Sequence, residues 1–204
     1  MVMHQNKQEN PPSIELLKSG DREAFARLVH LYSPMLYRLA YRMLGDAHEA
    51  EDVLQETFMN AFRHIVSFEG RSSLKTWLYR IATNQALMRL RKRKPPLVPV
   101  EEEWTMADGT TMTKELQDWC CLPEEEFMTR EVQTQLERAS AQLSTALNAV
   151  FTLRDLHGLS TRETAEILSI SEPAVKTRLL RARLKLRELL SDYFSERVEE
   201  RFGD

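Results

Sequence analysis

Cysteine, glycine, long apolar runs and net charge are all scarce in this 204-residue chain, and each shortage removes a class of protein. The only cysteines are Cys120 and Cys121, adjacent residues whose bridging would strain the peptide between them. With no disulfide framework, no Cys-x-x-Cys spacing and no His/Cys cluster, the sequence predicts a reducing, cytoplasmic setting, no structural zinc and no cofactor. No stretch approaches the roughly 18 apolar residues that cross a bilayer, and residues 1–12 lack the apolar core of a signal peptide, so neither membrane insertion nor export is expected. Six glycines and no period-two alternation leave little room for hairpins and sheets. Finally, 28 Lys+Arg against 31 Asp+Glu give a formal net charge of -3, which by itself argues against a nucleic-acid binder.

What is present points to helices. Hydrophobic residues make up 42% of the chain and charged residues 29%, enough apolar material for packed cores. Apolar residues recur at spacings of three and four almost throughout, which predicts an all-α protein. A first helix opens with Asp21 as N-cap and carries the stripe Phe25, Leu28, Val29 and Tyr32; Pro34 is expected to break or kink it. A second covers residues 35–44 and stops at Gly45. Asp46 then caps a third, with Glu49 placed to reach back as in a capping box, and Ala50, Val53, Leu54, Phe58, Ala61, Phe62 and Ile65 on its apolar face. A long helix from about 74 to 94, with Leu74, Leu78, Ile81 and Ala82 inward, ends firmly at Pro95, Pro96 and Pro99. Periodicity is lost from 97 to 122, and Pro123 followed by Glu124, Glu125 and Glu126 suits a new helix start. The expected architecture is two small helical domains, 13–94 and 123–195, joined by a flexible acidic linker, 95–122. As free coil, such a tether would hold its ends about 30 Å apart on average.

The near-zero net charge hides a separation into blocks. Between Arg71 and Lys94 stand eight basic residues and no acid; from Pro95 to Arg130, nine acids face two basic residues; from Glu172 to Arg187, six basic residues face one acid. Two basic elements either side of an acidic tether point to contact with a long polyanion at two places.

The second basic block lies in a helix-turn-helix pattern. Ser160 and Glu163 form a capping-box pair opening a short helix, Leu168 to Ser171 provide the turn, and Ser171 caps a second helix with Pro173 in its first turn. Val175, Leu179, Ala182, Leu186 and Leu189 form the buried stripe of that second helix. Lys176, Leu180, Arg183 and Arg187 fall on another face, flanked by Arg178 and Arg181. A cationic face on a helix held by a tight turn suits a major groove, where Arg reads guanine edges, Thr177 bonds a base or phosphate, and Leu180 meets a thymine methyl.

The first basic block follows the loop FEGRSS. There Phe68, Trp77 and Tyr79 offer ring faces for unstacked bases, although Trp77 and Tyr79 taken alone suit a core equally well, while Arg80, Arg89 and Arg91 offer phosphate partners. The preceding helix sets Glu49, Asp52, Glu56 and Asn60 on one polar face with Gln55 beside it, either a solvated face or a dock for a basic helix.

AEDVLQETF, then FEGRSSLKTWLYRIATNQA with its basic run, and finally LSTRETAEILSISEPAVKTRLLRARLKLRELL follow in that order across an acidic linker. In this the chain resembles the extracytoplasmic-function (ECF) sigma factors of bacterial RNA polymerase, from about residue 21 to 190. The resemblance implies that Asp52, Gln55, Glu56 and Asn60 bind the clamp of the largest subunit of the polymerase core. It implies that the loop with Phe68, Arg71, Ser72 and Ser73 holds a flipped nontemplate base of the minus-ten element, and that Trp77, Arg80 and Asn84 meet the edge of the melted DNA. Unstacking a base costs a few kcal/mol, so that loop must supply a fitted pocket. Lys176, Thr177, Leu180, Arg181 and Arg183 correspond to positions that read the minus-thirty-five element or its phosphates, and the acidic linker to the segment that threads toward the RNA path. An anti-sigma factor is an implied partner. Met88, Ser144 and Asn148 depart from the family pattern, and with Asn148 a phosphate contact is expected to be lost.

Residues alone leave two other readings: a helix-turn-helix regulator acting without polymerase, which leaves FEGRSS unexplained, and a sigma mimic that titrates a regulator. No nucleophile-base pair and no metal-ligand spacing stand out, so catalysis is not expected.

Overall fold

The computed structural model describes residues 11–93 and 130–202, and among them every regular element is helical. α1 (Ile14–Lys18), α2 (Arg22–Leu44), α3 (Ala47–His64) and α4 (Leu74–Arg93) form an N-terminal bundle. α5 (Arg130–Ala141), α6 (Thr145–Phe151), α7 (Thr161–Leu168) and α8 (Glu172–Phe202) form the C-terminal unit. The expected helix start at Pro123, the linker and both cysteines lie outside the described residues.

α2 begins as predicted, with Asp21 Oδ1 accepting the N–H of Ala24 at 2.7 Å. It then runs unbroken through Pro34 to Leu44, where Gly45 takes a left-handed φ of 70°. The expected break fails on magnitudes. An interior proline costs about 3 kcal/mol, but Leu28, Tyr32, Leu36 and Leu39 are all buried along the same helix, and each such side chain contributes roughly 1.5–3 kcal/mol. One long helix keeps that stripe in phase, and Pro34 itself is exposed.

Asp46 caps α3 through the N–H of Glu49 at 2.9 Å, which holds its carboxyl below the usual carboxylate range. Glu49 does not complete a capping box: its carboxylate turns to Arg93 of α4, with Nη2 at 2.6 Å. A charged partner from another helix outcompetes a single backbone N–H. Of the predicted α3 face, Ala50, Val53, Phe58, Ala61 and Ile65 are buried, whereas Phe62 remains 56% exposed.

α4 is buried nearly all round. Besides Leu74, Leu78 and Ala82, it buries Thr76, Trp77 and Tyr79, and also Thr83. The cause is a second layer: α7 and α6 pack on α4 in addition to α2 and α3, and Ala149, Leu153, Leu159 and Ile167 join the same apolar core. Residues of both units therefore share one apolar core. The C-terminal unit retains a core of its own, with Val150, Phe151, Val175, Leu179, Ala182 and Leu186.

α6 continues into a π-helical turn, Thr152–Leu156, which no periodicity announces. Inside it Thr152 Oγ1 donates to Asn148 Oδ1 at 2.9 Å, both residues being buried.

Candidate nucleic-acid and polymerase interfaces

The helix-turn-helix is built as its sequence requires. Ser160 Oγ accepts the N–H of Glu163 at 3.2 Å, and Glu163 accepts the N–H of Ser160 at 2.8 Å, closing the capping box. Those bonds from Ser160 hold the Glu163 carboxyl below its usual range. α7 ends at Ser169, whose φ of 54° is left-handed, and this turn fixes the angle at which α8 departs. Ser171 Oγ accepts the N–H of Ala174 at 3.3 Å, so Ser171 is occupied with starting α8.

α8 then sorts its side chains by face. Val175, Leu179, Ala182 and Leu186 are buried, while Lys176, Thr177, Leu180 and Arg181 are exposed together. Arg178 is half-buried at the margin. Arg183 is engaged: its Nε and Nη2 each lie 2.9 Å from an oxygen of Asp155 in the π turn, a bidentate pair that ties α8 to α6.

The N-terminal residues are arranged less simply. Phe68 and Trp77 pack with ring centres 5.1 Å apart and planes tilted by 49°, and they are 6% and 8% exposed, so in this conformation they are core and present no open ring face. Ring-rich loops read ambiguously for this reason. Arg71 is exposed beside Glu69 at 2.6 Å, and Ser73 Oγ accepts the N–H of Thr76 at 3.0 Å as the cap of α4. Ser72 is half-buried, and Asn84 is exposed on α4. Arg80 is half-exposed, with Nη1 4.0 Å from Glu166 of α7. Arg91 is exposed.

Arg89 joins two predicted sites that the sequence kept separate. Its Nη1 lies 3.2 Å from Asp52 and its Nη2 2.7 Å from Glu56, with the side chain only 23% exposed. Arg93 donates to Glu49 and, through Nη1, to the carbonyl oxygen of Leu44 at 2.8 Å. Glu49, Asp52 and Glu56 of α3 are thus held by α4 arginines, while Gln55 faces solvent and Asn60 is half-buried.

One surface escaped the sequence reading. Phe25, Val29, Leu54, Phe58, Met59 and Phe62 line an open groove of about 640 Å³ between α2 and α3. Met59, Phe62 and Val66 are more than half exposed along the same side. The available signal was an α3 apolar set, 58, 59, 62, 65 and 66, wider than one buried stripe. No group of three or more His, Cys, Asp or Glu able to hold a metal occurs among the described residues, and no helix there is long and apolar enough to cross a membrane.

Comparison with known proteins adds to this geometry. The Sigma-70 region 2 family matches residues 28–95, and the Sigma-70 region 4 family matches residues 133–186. The chain is 39% identical over 179 residues to the ECF RNA polymerase sigma factor SigW of Bacillus subtilis, covering 88% of this chain and 95% of that protein. It is 34% identical over 172 residues to the ECF RNA polymerase sigma-E factor of Haemophilus influenzae, covering 83% and 89%. Among solved structures it is similar to RpoE of Bartonella quintana in complex with the anti-sigma factor NepR (TM-score 0.61, 25% identity, 83% of this chain and 98% of that one). The fold also matches CnrH in complex with the cytosolic domain of CnrY (TM-score 0.63, 24% identity, 88% and 95%). Two sigma regions in this order define the class, a sigma factor of bacterial RNA polymerase. Within that class the chain belongs to the ECF sigma factors. It directs promoter-specific transcription.

Proposed function

We infer that the chain is a non-catalytic specificity subunit of the cytoplasmic polymerase, with its labour divided between three surfaces. Residues 13–94 bind core and the melted minus-ten element, residues 123–195 bind the minus-thirty-five duplex, and residues 95–122 form the acidic connection between them. The observation that carries this reading is the α8 face: Lys176, Thr177, Leu180 and Arg181 stand exposed together on a helix whose start is fixed by the capped α7 and the Ser169 turn. That is the geometry a major groove admits.

Core binding falls to the outer face of α3. Asp52 and Glu56 keep 58% and 45% of their side chains accessible while bridged by Arg89, so a basic helix of the clamp still meets a pair of carboxylates that is already oriented. The apolar groove beside them extends this dock. The FEGRSS loop and α4 supply the single-strand site. Arg71 and Arg91 are already presented, and Arg80 becomes available when Glu166 withdraws. Phe68 and Trp77 shape the loop from beneath. Arg183 acts through its Asp155 pair by fixing α8, and Ser171 by capping it. The acidic linker, by charge, suits a path otherwise taken by RNA. An anti-sigma factor is a fitting partner, since RpoE of Bartonella quintana was solved with one.

The test is promoter-directed transcription with purified core polymerase and genomic promoter fragments. Stimulation by the added chain is expected, and its absence on every fragment would overturn the reading. Tight promoter binding without core would favour a helix-turn-helix regulator instead.

A further inference from the structure

We propose that Met88 is a specificity-determining residue for promoter recognition: it reads the C5-methyl of a thymine in the duplex just upstream of the melted minus-ten element. The proposal rests on the reading of α4 as the surface at the edge of the melted DNA. Among the described residues, Met88 is the one large apolar side chain that α4 leaves exposed, at 48%. Leu87 and Leu90 beside it pack against the core.

Helical geometry puts Met88 in line with candidate DNA residues. Arg80, Asn84 and Met88 stand four residues apart, so they form one inclined row that rises about 6 Å per step. Asn84 and Arg91, on the same side of α4, are exposed as well. Arg89 and Arg93 turn the other way, onto Asp52, Glu56 and Glu49, and α4 itself carries no acid to repel phosphate. Cation, amide and apolar group thus follow one another along one open row. The α8 face is built of the same kinds of side chain, with Leu180 exposed beside Lys176, Thr177 and Arg181.

Order along the chain decides what Met88 meets. The FEGRSS loop and the start of α4 take the flipped base, so each turn toward the C-terminus of α4 moves away from it and into paired DNA. Bases step by about 3.4 Å along a strand, which places Met88 about two base pairs beyond the pair at Asn84. Paired bases are stacked and show only their edges, and in the major groove the apolar feature of those edges is the thymine methyl. A long, flexible thioether chain adapts to such a contact and loses exposed apolar surface in making it. An isolated surface methionine needs no explanation. Its place in a row of base- and phosphate-binding side chains is what gives Met88 a role.

The experiment uses holoenzyme assembled from the full chain and purified core, on a promoter fragment that the chain transcribes. Each base pair in the half-turn upstream of the melted region is set in turn to T·A and to A·T. Each is compared with the same duplex carrying deoxyuridine, which lacks only the methyl group. For the wild type, one position is expected at which deoxyuridine weakens binding about fourfold, the worth of one buried methyl. In Met88→Gln, which keeps side-chain length and helix propensity without the apolar end, thymine and deoxyuridine should bind alike there. Any deoxyuridine effect within the minus-thirty-five element, where Leu180 is placed, should be the same in both chains. Melting temperature, and core affinity measured without DNA, should be the same too. The Met88 assignment is overturned by a wild type with no methyl-dependent position, by a dependence that persists in Met88→Gln, by a variant that changes both elements alike, or by one that loses stability or core affinity. Absence of transcription on every fragment overturns the functional reading and Met88 with it, whereas the other outcomes overturn Met88 alone.

Discussion

The α3–α4 face and the α8 face carry similar side chains to opposite ends. On α4, Arg89 and Arg93 close onto Asp52, Glu56 and Glu49, so cations counted as DNA partners also serve as clamps between helices. On α8, Lys176 and Arg181 stand exposed beside Thr177 and Leu180, while Arg183 is committed to Asp155 and Lys185 to Glu188. The lesson is that a block of charge in a sequence gives the field of a region, whereas the acids placed opposite by the fold decide how much is available to a partner. One surface is largely self-neutralised; the other keeps Lys176 and Arg181 exposed.

That contrast breaks most visibly in promoter binding. Lys176→Ala and Arg181→Ala should each cost about 1–3 kcal/mol in holoenzyme binding to promoter duplex, with the melting temperature of the free chain unchanged. Electrophoretic mobility shifts and thermal denaturation check the two halves of the statement, and a fall in melting temperature would place these residues with the clamps instead.

Acidity should act on the contact of His157 with α4 alone. His157 is pushed down to about 4, first by burial and then by the nearby Arg42, Arg38 and Lys75, against roughly 6.5 once the ring is exposed. Opening that contact thus takes up a proton at intermediate pH. The closed form keeps its full advantage above about pH 6.5, loses up to tenfold per unit below it, and stops losing near pH 4. Small-angle X-ray scattering measured from pH 7 to pH 5 should show the wild-type radius of gyration rising, while His157→Leu shows no such rise from this group.

The clamps should register as stability. Arg89→Ala removes a guanidinium shared by two carboxylates and mostly shielded from solvent, and should cost about 1 kcal/mol, near the upper end for surface ion pairs. Removing Asp52 and Glu56 in the same chain should recover part of that loss in a double-mutant cycle followed by urea denaturation. The smallest change is expected at Ser169, the one non-glycine residue with positive φ among those described. Ser169→Gly should be neutral or stabilising by a few tenths of a kcal/mol, because the turn is already left-handed.

The sequence disclosed best what depends on neighbours along the chain. The Asp21 and Asp46 caps, the Ser160–Glu163 box, the start of α4 and the burial of Val175, Leu179, Ala182 and Leu186 on α8 follow from local spacing, and the structure has each of them. What depended on contacts between distant helices was hidden. Glu49 could bond the backbone or Arg93, and only the arrival of α4 decides. Trp77 and Tyr79 stand two residues apart, on opposite sides of a helix, so no single buried face accounts for both, and their burial follows from a second layer that spacing within α4 does not encode. Pro34 was misjudged because a local penalty was weighed without the stripe it interrupts. At the candidate sites, exposure on α8 was legible from periodicity, whereas the engagement of Arg89, Arg80 and Arg183 needed three dimensions.

The π turn at Thr152–Leu156 can be viewed as one residue too many in α6, a phase shift written into a helix. It sends Asp155 toward α8 and the following His157 toward α4, so that a single irregular turn serves as the hub from which α8 and the interdomain contact are both aligned. Deleting one residue there would regularise the helix and rotate everything after it by about 100°. Both alignments would be lost at once, which makes this turn a length-sensitive joint where an insertion or deletion should be far less tolerable than a substitution.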